Sequence, residues 1–128
     1  MSRPVILLVD DEQDLLQVMS TALGLSLPDY EIVGTTTADE ATEIIEDLAA
    51  MGTPLALVLV DHVLGGETGL DLLDRIRVSY PEVPALVVTG QAPQDVEEQA
   101  RQAGARVLWK PMRLKQLLDE VVDLLEVG

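Results

Sequence analysis

The chain lacks cysteine and has few aromatic and basic residues. Without cysteine it can have no disulfide framework, no thiolate nucleophile and no cysteine-ligated zinc site. Only three aromatic side chains occur, Tyr30, Tyr80 and Trp109, too few for a platform on which nucleic-acid bases stack. Eight Lys and Arg residues against 23 Asp and Glu give a net charge of −15, which argues against direct nucleic acid binding through phosphates.

Long apolar segments are also missing. No hydrophobic run approaches the length of a membrane span, and the N-terminus reaches Asp10, Asp11 and Glu12 too soon for a signal peptide. We therefore predict a cytoplasmic protein with no membrane contact. The 128 residues, 48% of them hydrophobic, predict a single domain over residues 1–128 that is long enough to bury a core. Most of the acids are interpreted as solvated helix faces.

Apolar runs that predict strands alternate with amphipathic patterns that predict helices. The second strand is less apolar than the others, as an edge strand would be. Residues 37–40 have the spacing of a helix capping box, Pro93 suits the first turn of the fourth helix, and Gly104 suits its C-terminal cap. The predicted strands are 5–9, 30–35, 55–60, 85–88 and 106–109. The predicted apolar helix faces contain Leu15, Met19, Ala22 and Leu23, then Ala41, Ile44, Ile45, Leu48 and Ala49, then Leu72, Leu73 and Ile76, and finally Leu114, Leu117, Leu118, Val121, Val122 and Leu125.

Five βα units with nearly continuous apolar strands predict an α/β fold whose parallel sheet is covered on both faces. In open sheets of this kind, ligands bind beyond the carboxyl ends of the strands, where the strand order reverses. Asp10, Asp11, Asp61, Thr89 and Lys110 all follow or end predicted strands. We expect the fold to gather these residues although the sequence separates them.

Three converging carboxylates need a positive charge. At ~4 Å each like-charged pair repels by about 1 kcal/mol in water and about 4 kcal/mol at an effective dielectric near 20. Mg²⁺ suits a site of few carboxylates and several waters. A strand-end Asp can act as a nucleophile toward phosphorus, while Mg²⁺, a Lys ammonium and a Thr hydroxyl neutralise charge on the phosphoryl oxygens.

Each residue of this set also has an ordinary structural interpretation. The Asp10–Asp11 pair can cap the helix that follows it, Thr89 can be a turn residue, and Lys110 can be a solvated surface charge. The combination is more informative than its members. Acid, acid, Thr and Lys at the ends of strands one, three, four and five form a chemically complete site for accepting a phosphoryl group.

Four short motifs in this order resemble the receiver domain of response regulators in two-component systems. The resemblance covers the chain from Val5 through the last helix. The matching segments are Leu-Val-Asp-Asp-Glu at 8–12, Leu-Val-Asp at 59–61 with Gly69 eight residues later, Val-Thr-Gly at 88–90, and Trp-Lys-Pro at 109–111.

The resemblance implies a flavodoxin-like (βα)₅ doubly wound parallel five-stranded sheet in the strand order 2-1-3-4-5. It implies that Asp61 is the phosphoacceptor, that Asp10, Asp11, Asp61 and the backbone carbonyl of Val63 bind Mg²⁺, and that Thr89 and Lys110 contact the phosphoryl oxygens. It also implies a cis peptide bond between Lys110 and Pro111. No enzymatic activity is implied beyond the domain's own phosphorylation and dephosphorylation.

The partners implied are a histidine kinase or a histidine phosphotransfer protein, and a downstream output protein or domain. No effector follows Glu126 in this sequence, so we expect either a stand-alone receiver or part of a larger regulator or hybrid kinase. The sequence leaves open the cognate kinase, the output, the lifetime of the phosphoryl group and homodimerisation through the last helices.

The chain departs from the family pattern at several positions. Gly65 stands where many receivers have Pro, which favours a more mobile loop over the site. Family members often carry Tyr or Phe three residues before the Lys, as an aromatic that moves with the Thr, and Val107 stands at that position here. Trp109 lies on the same strand face and is either a substitute for that aromatic or a packing residue. Met112 replaces a frequent Phe and is interpreted as core packing. His62 is expected to point away from the site.

Three alternative functions fit the sequence less well. A haloacid-dehalogenase phosphatase needs a second Asp two residues after its nucleophile, and Val63 stands there. A flavodoxin-type nucleotide binder needs a Gly-rich phosphate loop after the first strand, where this chain has Asp-Asp-Glu. A pseudo-receiver that binds partners without phosphorylation is separated from a true acceptor by a Mg²⁺-dependent reaction with a small phosphodonor such as acetyl phosphate.

Overall fold

Strands and helices alternate along the whole described chain. The computed structural model describes residues 3–127, so residues 1, 2 and 128 of the predicted domain lie outside the described part. The elements are β1 (Val5–Val9), α1 (Gln13–Ser26), β2 (Glu31–Thr35), α2 (Ala38–Ala50), β3 (Leu55–Val60), α3 (Gly69–Ser79), β4 (Ala85–Thr89), α4 (Val96–Gln102), β5 (Ala105–Trp109) and α5 (Leu114–Val127). The predicted bounds of β1 and β3 are confirmed, and those of the other strands agree within one residue.

The five strands form one parallel sheet in the order β2-β1-β3-β4-β5. The predicted flavodoxin-like fold is confirmed. Every residue of β1 and β4 is buried, because helices cover both faces of the sheet at its centre. Strand β2 lies at an edge and is mostly exposed or half-buried, as its weaker apolar character predicts. The order reverses between β1 and β3, so a crevice opens beyond their carboxyl ends.

Two hydrophobic cores lie on opposite faces of the sheet. One contains apolar residues of α2, α3 and α4 together with alternate residues of the strands, such as Val5, Leu7 and Val9. The other contains apolar residues of α1 and α5 together with the intervening strand residues, such as Ile6 and Leu8. This alternation follows from the two-residue period of a strand, and it makes the sheet doubly wound.

The buried helix faces differ in detail from those predicted. In α1 the residues in the core are Leu16, Met19 and Leu23, while Leu15 and Ala22 are half-buried at its margin. The spacing i, i+3, i+7 from Leu16 defines the face that meets the sheet. In α5 the equivalent residues are Leu117, Val121 and Leu124. Leu114 and Val122 are exposed, so the predicted apolar face of α5 was too wide.

A side-chain cap fixes the beginning of α2, and a turn before α4 corrects the predicted beginning of that helix. Thr37 Oγ1 accepts a hydrogen bond from the Glu40 N–H at 3.1 Å, which confirms the predicted cap of α2. The Glu40 carboxylate, the other member of the predicted capping box, accepts a hydrogen bond from the Thr35 hydroxyl at 2.7 Å. Pro93 does not lie in the first turn of α4. Its carbonyl accepts the Val96 N–H at 3.1 Å, closing a turn before the helix, which begins at Val96. Gly104, with φ +68°, follows the end of α4 as predicted.

None of the helices within residues 3–127 combines the length and apolar character that a membrane crossing requires.

Candidate functional site

Two acids are fixed by continuation of the sheet beyond its strands. The Asp10 N–H donates to the Thr35 carbonyl at 3.2 Å, and the Asp61 N–H donates to the Val9 carbonyl at 3.0 Å. Because β1 and β3 are adjacent and parallel, these bonds bring both residues to the same sheet edge. Lys110 is fixed in the same way after β5, since its N–H donates to the Thr89 carbonyl at 2.9 Å.

The carboxylates of Asp10, Asp11 and Asp61 converge. One oxygen from each lies within 4.8 Å of the others, which is the spacing of ligands around a metal ion. Asp10 and Asp61 are only 1% and 7% exposed, whereas Asp11 is exposed at the mouth of the site. Buried acids at this separation repel one another strongly unless a cation lies among them.

Lys110 supplies one such cation. Its Nζ lies 2.9 Å from Oδ2 of Asp10 and 2.9 Å from Oδ2 of Asp61, and 3.6 Å from the carboxylate of Glu12. The sequence did not predict that Lys110 would bridge the two acids, because the length of a Lys side chain allows many positions. With four acids and one Lys, the immediate formal charge is still about −3 when all are ionised.

The ionisation of these groups reflects burial and pairing. Burial raises the pKa of Asp10 above its ordinary value, and hydrogen bonds from Lys110 and from the Glu12 N–H oppose this rise. Burial pulls the pKa of Lys110 down, but its hydrogen bonds to Asp10 and Asp61 outweigh burial and leave that pKa raised. Lys110 is therefore held as a cation, and another cation beside Asp10 would favour the ionised carboxylate.

Thr89 lies in the same cavity as Asp61 and Lys110. The cavity, of about 770 Å³, is open to solvent and is lined by Asp11, Glu12, Leu15, Asp61, Val63, Thr89, Gly90, Gln91, Lys110, Pro111 and Met112. The Thr89 hydroxyl is fully buried, donates to the Gln91 carbonyl at 2.9 Å and accepts the Gln91 N–H at 3.3 Å. In this state the hydroxyl is therefore engaged by the segment that follows β4.

The segment after Asp61 folds back as a tight turn. Val63 pairs with Thr68 in an antiparallel bridge, and the Leu64 N–H donates to the Glu67 carbonyl at 3.1 Å. Gly65 and Gly66 occupy the turn with φ of +50° and +98°, which only glycine adopts readily. Greater mobility of this loop stays a prediction. The carbonyls of His62 and Glu67 accept the two hydrogen bonds of this bridge. The Val63 carbonyl, which is the predicted ligand, accepts neither of them.

Gly69 is required by the close approach of α3 to the end of β3. A Cβ at this position would lie 2.2 Å from the Asp61 carbonyl oxygen and 2.9 Å from a methyl group of Val60. Gly69 also donates its N–H to the His62 carbonyl at 2.9 Å. The glycine eight residues after Asp61 is thus explained by packing directly against the backbone of that residue.

The positions at which the sequence departs from the family pattern, and His62, lie outside the acid cluster. His62 is only 5% exposed, and it lines a separate depression between the segments after β3 and β4. Met112 packs against the α1–α5 core, as predicted, and Val107 packs against the other core. The Lys110–Pro111 peptide is cis, as predicted.

Trp109 forms a contact that the sequence did not reveal. It is 40% exposed, and its indole N–H donates to the Glu97 carboxylate at 2.6 Å. No spacing in the sequence relates a residue of α4 to the end of β5, so only the fold brings them together.

The site and the fold agree with one family of known proteins. The sequence profile of the response regulator receiver domain matches residues 6–122. This chain belongs to that family. It is 34% identical over 99% of its length to the response regulator protein PilR of Pseudomonas aeruginosa, and 32% identical over 94% of its length to the sensor kinase CckA of Brucella abortus. It spans only 27% of PilR and 12% of CckA.

Solved structures show the same architecture. The response regulator receiver domain protein (CheY-like) from Methanospirillum hungatei superimposes with a TM-score of 0.84 at 28% identity, covering 98% of this chain and 95% of that one. The non-phosphorylated HemR receiver domain from Leptospira biflexa superimposes with a TM-score of 0.82 at 26% identity, covering 98% and 96%. The chain is therefore a receiver domain of the response regulators of two-component systems.

Proposed function

We propose that Asp61 accepts a phosphoryl group from the phosphohistidine of a histidine kinase or a histidine phosphotransfer protein, with the help of Mg²⁺. The observation that carries this proposal is the convergence of three carboxylates within 4.8 Å beside the Nζ of Lys110. Converging carboxylates repel one another and so destabilise the fold, whereas phosphoryl transfer needs a nucleophilic carboxylate surrounded by cations.

The donor set fits Mg²⁺. Carboxylate and carbonyl oxygens are its preferred protein ligands, and they are offered here by Asp10, Asp11, Asp61 and the Val63 carbonyl. Both Asp11 and Val63 line the open cavity, from which water would also reach a bound Mg²⁺. When bound, Mg²⁺ neutralises charge that develops on the phosphoryl oxygens.

In the proposed reaction, a carboxylate oxygen of Asp61 attacks the phosphorus in line with the nitrogen of the donor histidine. The P–N bond breaks and an acyl phosphate P–O bond forms, while the imidazole takes up a proton from solvent. Lys110 keeps its ammonium within reach of Asp61 and balances the added negative charge. The hydroxyl of Thr89 leaves the Gln91 carbonyl and donates to a phosphoryl oxygen.

This exchange of partners at Thr89 provides a switch. The phosphoryl group favours the state in which Thr89 and the segments after β3 and β4 lie closer to Asp61, and the resting hydrogen bonds favour the other state. A population moves from 1:99 to 99:1 when the differential stabilisation reaches about 5.5 kcal/mol. The altered surface then signals to an output protein or domain.

The wider setting of the domain is part of the same proposal. Residues 1–128 act as one receiver unit in the cytoplasm, where a kinase can reach Asp61 through the open cavity. The net charge of −15 makes a direct role in nucleic acid binding unfavourable for this unit. Homodimerisation through its last helices is a further mode of output that fits a receiver.

The test is incorporation of the phosphoryl group from acetyl phosphate, measured as a mass increase of the intact protein and mapped to a peptide. The wild type is expected to gain one phosphoryl group only when Mg²⁺ is present, and Asp61→Asn none. Asp29→Asn is a matched control, because Asp29 is exposed and precedes β2 at the opposite end of the sheet. Equal labelling of the wild type and Asp61→Asn would refute the proposal, and no labelling of either would indicate a pseudo-receiver.

A further inference from the structure

One side-chain contact joins the end of the sheet to α4. The Trp109 indole N–H donates to Oε1 of Glu97 at 2.6 Å. Glu97 lies in the first turn of α4, and Trp109 is the last residue of β5. Both side chains reach solvent, so the contact can break without exposing a buried group.

One end of this contact, Trp109, is next to residues of the site, and the other is linked to them through a short segment. Trp109 precedes Lys110, and it is the direct partner of Thr89 in the pairing of β4 with β5. Glu97 follows the segment 90–95, which begins directly after Thr89. Trp109 is held by the sheet, whereas Glu97 is attached to the segment that must rearrange.

The segment 90–95 is tied to Thr89 by the resting hydrogen bonds. Thr89 Oγ1 both donates to the Gln91 carbonyl and accepts the Gln91 N–H. If the hydroxyl turns to a phosphoryl group on Asp61, the Gln91 carbonyl loses its donor, and the segment leading to α4 is released. Val107, the other residue of β5 on this face near Thr89, has no polar group through which to bind α4.

We propose that the Trp109–Glu97 hydrogen bond is a latch that holds α4 in its resting position and opens when Asp61 is phosphorylated. This inference rests on the proposed function, because it needs Thr89 to respond to the acyl phosphate. By linkage, an interaction present only in the resting state weakens binding of the phosphoryl group by the same factor by which that group weakens the latch.

Trp109 is the only tryptophan in the chain, so its fluorescence reports on the latch without added label. The probe is beryllofluoride with Mg²⁺, which mimics the phosphoryl group on the acceptor carboxylate. Fluorine-19 NMR measures its binding independently of Trp109. We expect acrylamide quenching of Trp109 to increase with the same midpoint as the bound fluoride signal, because the indole leaves the carboxylate.

Variants separate the latch from general effects on α4. Glu97→Ala removes the acceptor and is expected to tighten apparent beryllofluoride affinity about two- to fivefold, as loss of one solvent-exposed hydrogen bond from the resting state predicts. Trp109→Phe removes the N–H and should have the same effect, and the double variant should add nothing. Glu97→Gln keeps an acceptor oxygen and should behave like the wild type.

Glu98→Ala is the matched control, because Glu98 is also an exposed acid in the first turn of α4 but accepts its hydrogen bonds from Arg101 and Gln102 of the same helix. Its affinity for beryllofluoride should equal that of the wild type. The latch is refuted if beryllofluoride binds without a change at Trp109, if Glu97→Ala and Glu98→Ala have equal effects, or if the two latch variants add. If no fluoride signal of a bound complex appears, the proposed function fails, and the latch fails with it.

Discussion

Substitution of Gly69 by Ala tests how closely α3 is packed against the end of β3 at Asp61. The new Cβ would lie 2.2 Å from the carbonyl oxygen of Asp61, and 3.0 Å from its carbonyl carbon. Ordinary van der Waals contacts of a Cβ begin at 3.4 Å, so the helix and the strand end must separate by about 1 Å. Both sides of the clash are backbone or are anchored to it, so no side-chain rotation relieves it.

The expected change in stability follows from this displacement. Overpacking of this kind costs about 1–3 kcal/mol, and a backbone clash belongs at the upper end of that range. The better helix propensity of Ala offsets at most about 1 kcal/mol. We therefore expect Gly69→Ala to lower the free energy of unfolding by about 2 kcal/mol. For a domain of this size the melting temperature should fall by about 5–10 °C.

The assay is urea denaturation of the metal-free protein, paired with acetyl phosphate labelling of Asp61. Gly24→Ala is the matched control, because Gly24 also lies in a helix, but a Cβ there would meet only Ile32, at 4.0 Å. The control should be neutral or slightly stabilising. Gly69→Ala should lose both stability and labelling. A Gly69→Ala protein that matches the control in both measurements would refute the proposed packing.

Three further predictions concern the site and its supporting helix. Because burial raises the pKa of Asp10, the folded state binds the Asp10 proton more tightly than the unfolded state does. The free energy of unfolding of the metal-free protein should therefore fall as the pH rises through this pKa. Urea denaturation at several pH values should show this fall in the wild type but not in Asp10→Asn. Lys110→Met should lower the rate of labelling by acetyl phosphate about 10²-fold or more, because the cation beside Asp61 is lost. Calorimetry should show that the variant still binds Mg²⁺. An unchanged rate would contradict the role given to Lys110. Thr37→Ala should lower the free energy of unfolding by about 1 kcal/mol because the cap of α2 is lost, whereas Thr37→Ser should not, and thermal unfolding of both would decide.

The fold could be predicted because its signals are local. The apolar runs of β1 and β3 each begin after a proline and end before an Asp, and their bounds were predicted correctly. The beginning of α4 was predicted too early, because Pro93 fits both the first turn of a helix and a turn that precedes one. The width of the apolar face of α5 was overestimated, because Leu114 and Val122 are apolar but remain 41% and 38% exposed.

The sequence predicts that the residues of the candidate site converge, but it does not predict the hydrogen bonds and ion pairs that join them. Strand ends place Asp10 and Asp61 at one edge, and strand order follows from the family resemblance. The bridging position of Lys110 depends on four rotatable bonds, and the engagement of Thr89 by Gln91 depends on the course of a loop. The Trp109–Glu97 contact joins two elements whose relative position the sequence does not encode locally.

We propose above that magnesium and the three acids together make Asp61 a phosphoacceptor. The most direct test is the rate of acetyl phosphate labelling as a function of Mg²⁺ concentration, with the modified residue identified by borohydride reduction and peptide mass. The rate should rise to a plateau with Mg²⁺, fall to background with chelator, and yield modification at Asp61. Labelling that is indifferent to chelator, or that maps to another residue, would show that Asp61 is not a magnesium-dependent phosphoacceptor.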